Sequence, residues 1–144
     1  MKLAFLIYSY FPYGGQQRDF LRVAMACRAK GHKIVVYTIR WQGEIPQDFD
    51  VRIVPVNAWC RYKLYQRFTA AVHDALRISP ADLVIGFNKM PGLDVYFAAD
   101  PCFAERALSE RGFYYRFTAR SRHFLAYERS VFGADANARI LLLS

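Results

Sequence analysis

The chain is 144 residues long, the size of one ordinary domain. It is 54% apolar, which excludes a disordered polymer and predicts a packed core. Its 20 Lys plus Arg against 12 Asp plus Glu give a net charge of +8, a balance drawn to nucleotide phosphates, nucleic acid or an acidic membrane without choosing among them. No apolar run reaches the ~18 residues of a membrane span.

The run Met1–Ile7 breaks at Tyr8-Ser9-Tyr10 and Pro12 with no small-residue cleavage site, so it reads as a strand, not a secretion signal, and the chain as cytoplasmic. Leu3 to Tyr8 lacks clean alternation, as a strand buried on both faces does. A loop follows over Ser9-Tyr10-Phe11-Pro12-Tyr13-Gly14-Gly15. Gln17 to Lys30 reads as a helix stopped by Gly31, with Arg28 and Lys30 in its last turn. Lys33 to Ile39 is β-branched and alternating, a second strand, and Val51 to Val54 is a short third. Tyr62, Tyr65, Phe68, Val72 and Leu76 recur at helical spacing and predict an amphipathic helix over 61–78, ended by Pro80. Leu83 to Phe87 and Asp94 to Ala99 read as strands. A helical stretch broken near Gly112 runs to about Phe132, Gly133 to Ala138 is a loop, and Arg139 to Leu143 is a last strand.

Strands alternating with helices predict right-handed βαβ units in a Rossmann-like open parallel sheet with helices on both faces. The last strand is as apolar as a central one, yet no helix follows to cover it. One domain over residues 1–144 of a longer natural chain is therefore expected.

Two loops carry candidate chemistry. Gly14-Gly15-Gln16-Gln17-Arg18-Asp19 lies between the first strand and the first helix. Paired glycines admit a ligand close to the backbone, and the opening N–H groups of a helix favour an anion. The loop is neither a G-x-G-x-x-G fingerprint nor a P-loop. A plain turn, with Asp19 favouring the helix dipole, is the simpler alternative. Gly86-Phe87-Asn88-Lys89-Met90-Pro91-Gly92-Leu93-Asp94, continuing to Ala98-Ala99-Asp100, leaves the end of a buried strand, where open α/β sheets bind ligands. A polar turn explains it equally on composition.

Tyr8 to Phe20 and Gly86 to Asp100 together resemble the lipopolysaccharide glucosyltransferase I family, as do Tyr114-Tyr115-Arg116-Phe117-Thr118, Arg122-His123-Phe124 and Tyr127-Glu128-Arg129. The resemblance covers essentially the whole chain. It implies the N-terminal, acceptor-side domain of a two-domain GT-B enzyme that transfers glucose from UDP-glucose to an inner-core heptose with retention. Gly14, Gly15 and Asp19 match residues near the donor. Asp100 matches an acidic residue near the transferred glucose and is the candidate for assisting catalysis. Asn88, Lys89 and Asp94 are assigned to the acceptor side, Lys89 from its charge and loop position. No metal or other cofactor is implied. The nucleotide-gripping Arg/Lys pair and glutamate-rich motif of the family's C-terminal domain are absent, so this chain alone is expected to show little or no turnover.

Between Phe103 and Phe132, six arginines interleave with aromatic residues. Tyr114, Tyr115, Arg116, Arg120 and Arg122 suit an anionic membrane surface, and a non-catalytic membrane-binding module is the alternative function. A core-facing aromatic stripe with a solvated basic face is the other reading of the segment. The resemblance likewise implies work at the inner membrane's cytoplasmic face. No helix-turn-helix, zinc-finger or RNP-type pattern supports nucleic acid as a partner. Cys27, Cys60 and Cys102 lack metal spacing and read as reduced, packed thiols. His32, His73 and His123 read as structural, His32 at a helix end and His123 on the basic face.

Overall fold

A computed structural model of the chain describes residues 1–98, 123, 126–127 and 139–142. Among the described residues ten elements are assigned: β1 (Lys2–Leu6), β2 (Ser9–Tyr10), α1 (Gly15–Ala29), β3 (Lys33–Thr38), β4 (Arg40–Trp41), β5 (Phe49–Ile53), α2 (Arg61–Ile78), β6 (Leu83–Gly86), β7 (Val95–Ala98) and β8 (Arg139–Leu142). Six strands form one sheet in the order β5-β3-β1-β6-β7-β8, and every neighbouring pair is parallel. Counted along the chain, those six strands stand 3-2-1-4-5-6, the doubly wound order. The order reverses between β1 and β6.

Alternation along β1 sorts the core into two halves. Leu3, Phe5 and Ile7 meet Phe20 and Ala24 of α1, while Ala4, Leu6 and Tyr8 meet Phe68 and Val72 of α2. The two helices therefore cover opposite faces, as the sequence pattern requires. Phe20, Phe68, Phe5 and Tyr37 are almost fully buried. Burying each such side chain stabilises the fold by roughly 1.5–3 kcal/mol.

The alternation of strands and helices is less regular than expected. Helices join β1 to β3 and β5 to β6, but β3 reaches β5 through residues 39–48, which hold only β4. β6 reaches β7 through the eight residues Phe87–Asp94, with no helix. Met90 and Leu93 of that segment fill the α2-side core in place of one. The expected loop at Ser9 also contains a strand: Ser9–Tyr10 pairs with Arg40–Trp41 in a small parallel ladder. Tyr10 stacks on Trp41 with centroids 4.0 Å apart, and Phe20 meets both rings edge-on. Two-residue strands hold no periodicity to read, and these exist because the aromatic cluster seats them.

α1 ends as the sequence predicts. Gly31 adopts φ 92°, its N–H donates to the Arg28 carbonyl at 2.9 Å, and the His32 N–H donates to the Cys27 carbonyl at 3.2 Å. This is a Schellman cap. His32 does not act through the helix dipole alone: its Nδ1 lies 3.2 Å from the Met1 amino group. A Cβ at Gly31 would meet nothing within 4 Å, so the only cost of a side chain there is backbone conformation. Gly31→Ala should destabilise the domain by about 1 kcal/mol, and Gly31→Asn by less, in urea titrations.

Candidate functional site

In a parallel sheet all strands end at one edge, and the helices that follow them begin there. The N-terminus of α1, the N-terminus of α2 and the segment after β6 thus share the edge where β1 and β6 diverge. Such a switch point is where doubly wound sheets take ligands.

The first loop is locked in place by amides. Gln17, 7% exposed, donates from Nε2 to the Ser9 carbonyl at 3.0 Å. Gln16 Nε2 donates to the Phe87 carbonyl. The start of α1 is therefore tied to the chain just beyond β1 and just beyond β6. Neither glutamine stands out in the sequence; the available signal is two amides in the first turn of a helix after a glycine pair.

The two glycines divide the work. A Cβ on Gly14 would fall 1.9 Å from Gln17 Oε1 and 2.5 Å from the Phe11 ring, so Gly14 is required by packing. A Cβ on Gly15 would meet nothing within 4 Å, so that face of the backbone is open. The first intrahelical bond runs from the Arg18 N–H to the Gly14 carbonyl at 3.0 Å. The N–H groups ahead of it face the edge, with no acidic residue in the first turn and no side-chain cap. Asp19 is the fifth helical residue, half-buried, and lies beyond the first turn, so a dipole role at the terminus does not describe it.

Asn88 belongs to the same frame. Its Oδ1 accepts the Tyr8 N–H at 2.9 Å, which bridges the ends of β6 and β1. The Tyr8 hydroxyl reaches the Lys89 carbonyl at 3.4 Å, and the Tyr8 ring stacks on Tyr65 of α2 at 3.7 Å. His73 of α2 supports the turn from below: its Nε2 lies 3.1 Å from the Pro91 carbonyl, and a Cβ on Gly92 would come within 2.5 Å of it. Gly92 adopts φ 85°, so both space and backbone require glycine.

Asp94 stands apart from these residues. Its Oδ2 accepts the Val84 N–H, and its own N–H donates to the Val84 carbonyl, both at 2.9 Å. Val84 lies near the start of β6, so Asp94 anchors the entry to β7 away from the strand ends. The structure brings Gly14, Gly15, Asn88 and Lys89 to one edge and gives Asp94 a scaffold contact elsewhere. Asp100, Cys102, Tyr114, Tyr115, Arg116, Arg120 and Arg122 lie outside the described residues.

Three residues of the basic, aromatic segment are described: Ala126 is exposed, while His123 and Tyr127 face inward. His123 is 4% exposed and its ring packs against Tyr62, Tyr65 and Tyr127, so it does not join a solvated basic face. Burial lowers its pKa from the ordinary 6.5 to about 4. The Tyr127 hydroxyl donates to Thr69 Oγ1 at 2.9 Å. Burial also raises the Cys27 thiol, against a smaller opposing pull from Lys30, which keeps it protonated and unreactive.

A doubly wound parallel sheet of this order is a Rossmann-like fold. The chain is 46% identical over all 144 residues to the lipopolysaccharide glucosyltransferase WaaG of Escherichia coli (strain K12). It superposes with a TM-score of 0.95 on the crystal structure of WaaG, a glycosyltransferase involved in lipopolysaccharide biosynthesis, over 99% of its own length. In both comparisons it spans 38% of the relative's length. No protein-family model matches the chain.

The buried His123 gives a pH signature. The unfolded chain takes up this proton near pH 6.5 and the folded chain only near 4, so the stability contributed by the neutral ring is complete above about pH 6.5 and is lost as pH falls toward 4. The melting temperature should drop between pH 7 and pH 5, and His123→Leu should remove most of that slope.

Proposed function

We propose that this chain is the acceptor-side domain of a retaining glucosyltransferase that moves glucose from UDP-glucose to an inner-core heptose of lipopolysaccharide. The observation that carries the reading is 46% identity along the entire chain to WaaG, together with a TM-score of 0.95. The edge geometry supports it. Breaking the bond between the sugar's anomeric carbon and the diphosphate leaves new negative charge on the departing group. Preorganised N–H groups stabilise that charge without reorganising. The open Gly15 backbone at the start of α1 is suited to this task.

The remaining roles follow chain position and charge. Asp100 comes two residues after the end of β7 and assists at the transferred sugar. Lys89, held beside Asn88 at the same edge, meets an acceptor phosphate or carboxylate. Asp94 is omitted from the acceptor contacts because its carboxylate holds β6 to β7. The rest of the donor grip belongs to the greater part of the relative's length that this chain does not span. Because the acceptor is lipid-linked, the enzyme works at a membrane surface, and Tyr114, Tyr115, Arg116, Arg120 and Arg122 are the contacts proposed for it. Among the described residues no helix is long and apolar enough to cross a membrane.

A chimera tests this reading. Residues 1–144 replace the aligned segment of WaaG in a strain lacking that enzyme. The chimera should restore the full-length lipopolysaccharide core on gels and transfer labelled glucose in extracts, and Asp100→Asn should reduce transfer at least 100-fold. The 144-residue chain alone should give no turnover. A folded chimera that transfers nothing would contradict the assignment, and robust transfer by the isolated chain would contradict the division of labour.

A further inference from the structure

Trp59 is fully exposed, at 101% of its reference area, although tryptophan is among the more buried residues on average. It sits in residues 54–60, which run from the end of β5 to the start of α2, on the same edge as Gly15. The other tryptophan, Trp41, is half-buried on Tyr10. Beside Trp59 lies a groove of about 350 Å³ lined by Asn57, Ala58, Trp59 and Arg67. That volume is at the small end of ligand sites. Arg67 Nη1 donates to the Asn57 carbonyl, which fixes the guanidinium on one wall.

The surrounding charge has one sign. From Val51 to His73 there is no Asp or Glu, while Arg52, Arg61, Lys63 and Arg67 are all present. Arg52 is engaged by Asp50 and the Tyr37 hydroxyl. The other three are exposed on α2, whose first acidic residue is Asp74. An anion at this groove therefore meets Arg67, with Lys63 one helical turn away on the same face, and no carboxylate from the loop or the first turns of α2.

We infer that Trp59, Asn57 and Arg67 form a subsite for a saccharide bearing phosphate or carboxylate. A flat indole face takes the C–H face of a sugar ring. The Asn57 side-chain amide offers both a donor and an acceptor to hydroxyls. The Arg67 fork matches the planar or tetrahedral oxygens of an acidic substituent. A bilayer fits less well. Between its cations α2 exposes Gln66, Ala70 and Asp74, with no apolar stripe to lie in an interface. The inference rests on the proposed function in one respect: it takes the anionic saccharide to be the acceptor.

Trp59 supplies its own reporter. In a Trp41→Phe background, the fluorescence of the 144-residue chain is titrated with deacylated, phosphorylated lipopolysaccharide core oligosaccharide. A saturable change is expected, at least 10-fold weaker with Arg67→Ala and absent with inorganic phosphate at the same concentration; its loss with the dephosphorylated oligosaccharide assigns the Arg67 contact to phosphate, and its persistence there assigns it to a carboxylate. No saturable change with the phosphorylated oligosaccharide would overturn the subsite. So would a response to phosphatidylglycerol vesicles without one to the oligosaccharide. In the active chimera, Trp59→Ala should raise KM for the acceptor at least 5-fold with KM for UDP-glucose unchanged, and Trp59→Phe should restore it. Unchanged acceptor kinetics for Trp59→Ala would sink the subsite and leave the transferase assignment standing. An inactive chimera would sink the assignment, while the fluorescence titration still decides the subsite.

Discussion

Where parallel strands stop, their last peptide groups lose the ladder partners that satisfied them, and at a buried edge those groups must find others. Here they find side-chain amides and hydroxyls. The Tyr8 N–H goes to Asn88, the Ser9 carbonyl to Gln17, the Phe87 carbonyl to Gln16, and the Tyr8 carbonyl to the Thr38 hydroxyl at 3.1 Å as well as the Ile39 N–H. Each such bond contributes only about 0.5–1.5 kcal/mol net, but a buried group left without one costs about 1–3 kcal/mol. The network thus fixes how β1, β3, β6 and α1 meet. Gly15 is open because its neighbours are held, and Lys89 sits at the edge because Asn88 beside it is a strand tie.

The same economy explains the short connection from β6 to β7. Parallel neighbours usually need a crossover of a dozen or more residues. Eight suffice here because the segment is packed from both sides. Gly86 leaves room for Leu93, whose Cδ1 would lie 2.4 Å from a Cβ at that position. His73 holds the Pro91 carbonyl, and Asp94 holds both polar groups of Val84. A segment this constrained presents its polar residues in one arrangement, as a binding loop requires.

Much of this was legible in the sequence. The amphipathic spacing from Tyr62 to Leu76 gives α2 its full extent, Gly31 marks the end of α1, and the apolar runs give the strands of the main sheet. The glycine pair and the Gly86 motif both reach the ligand edge. What escaped depends on partners distant in sequence. Gln16, Gln17 and His73 acquire roles only when the carbonyls of Phe87, Ser9 and Pro91 arrive beside them. Asp94 reads as a loop acid until the register shows it opposite Val84. His123, surrounded by arginines in sequence, is surrounded by tyrosines in space. The two-residue strands at Ser9 and Arg40 exist through the Tyr10–Trp41 stack rather than through any pattern of their own.

The central claim is that the open backbone at Gly15 is the anion-binding end of the site. The direct measurement is an amide NMR titration of the ¹⁵N-labelled chain with UDP, using uridine as the control. The account predicts that the Gly15 amide and its neighbours at the start of α1 shift with UDP and stay still with uridine. Equal shifts with both ligands, or UDP-dependent shifts confined to residues away from that edge, would contradict it.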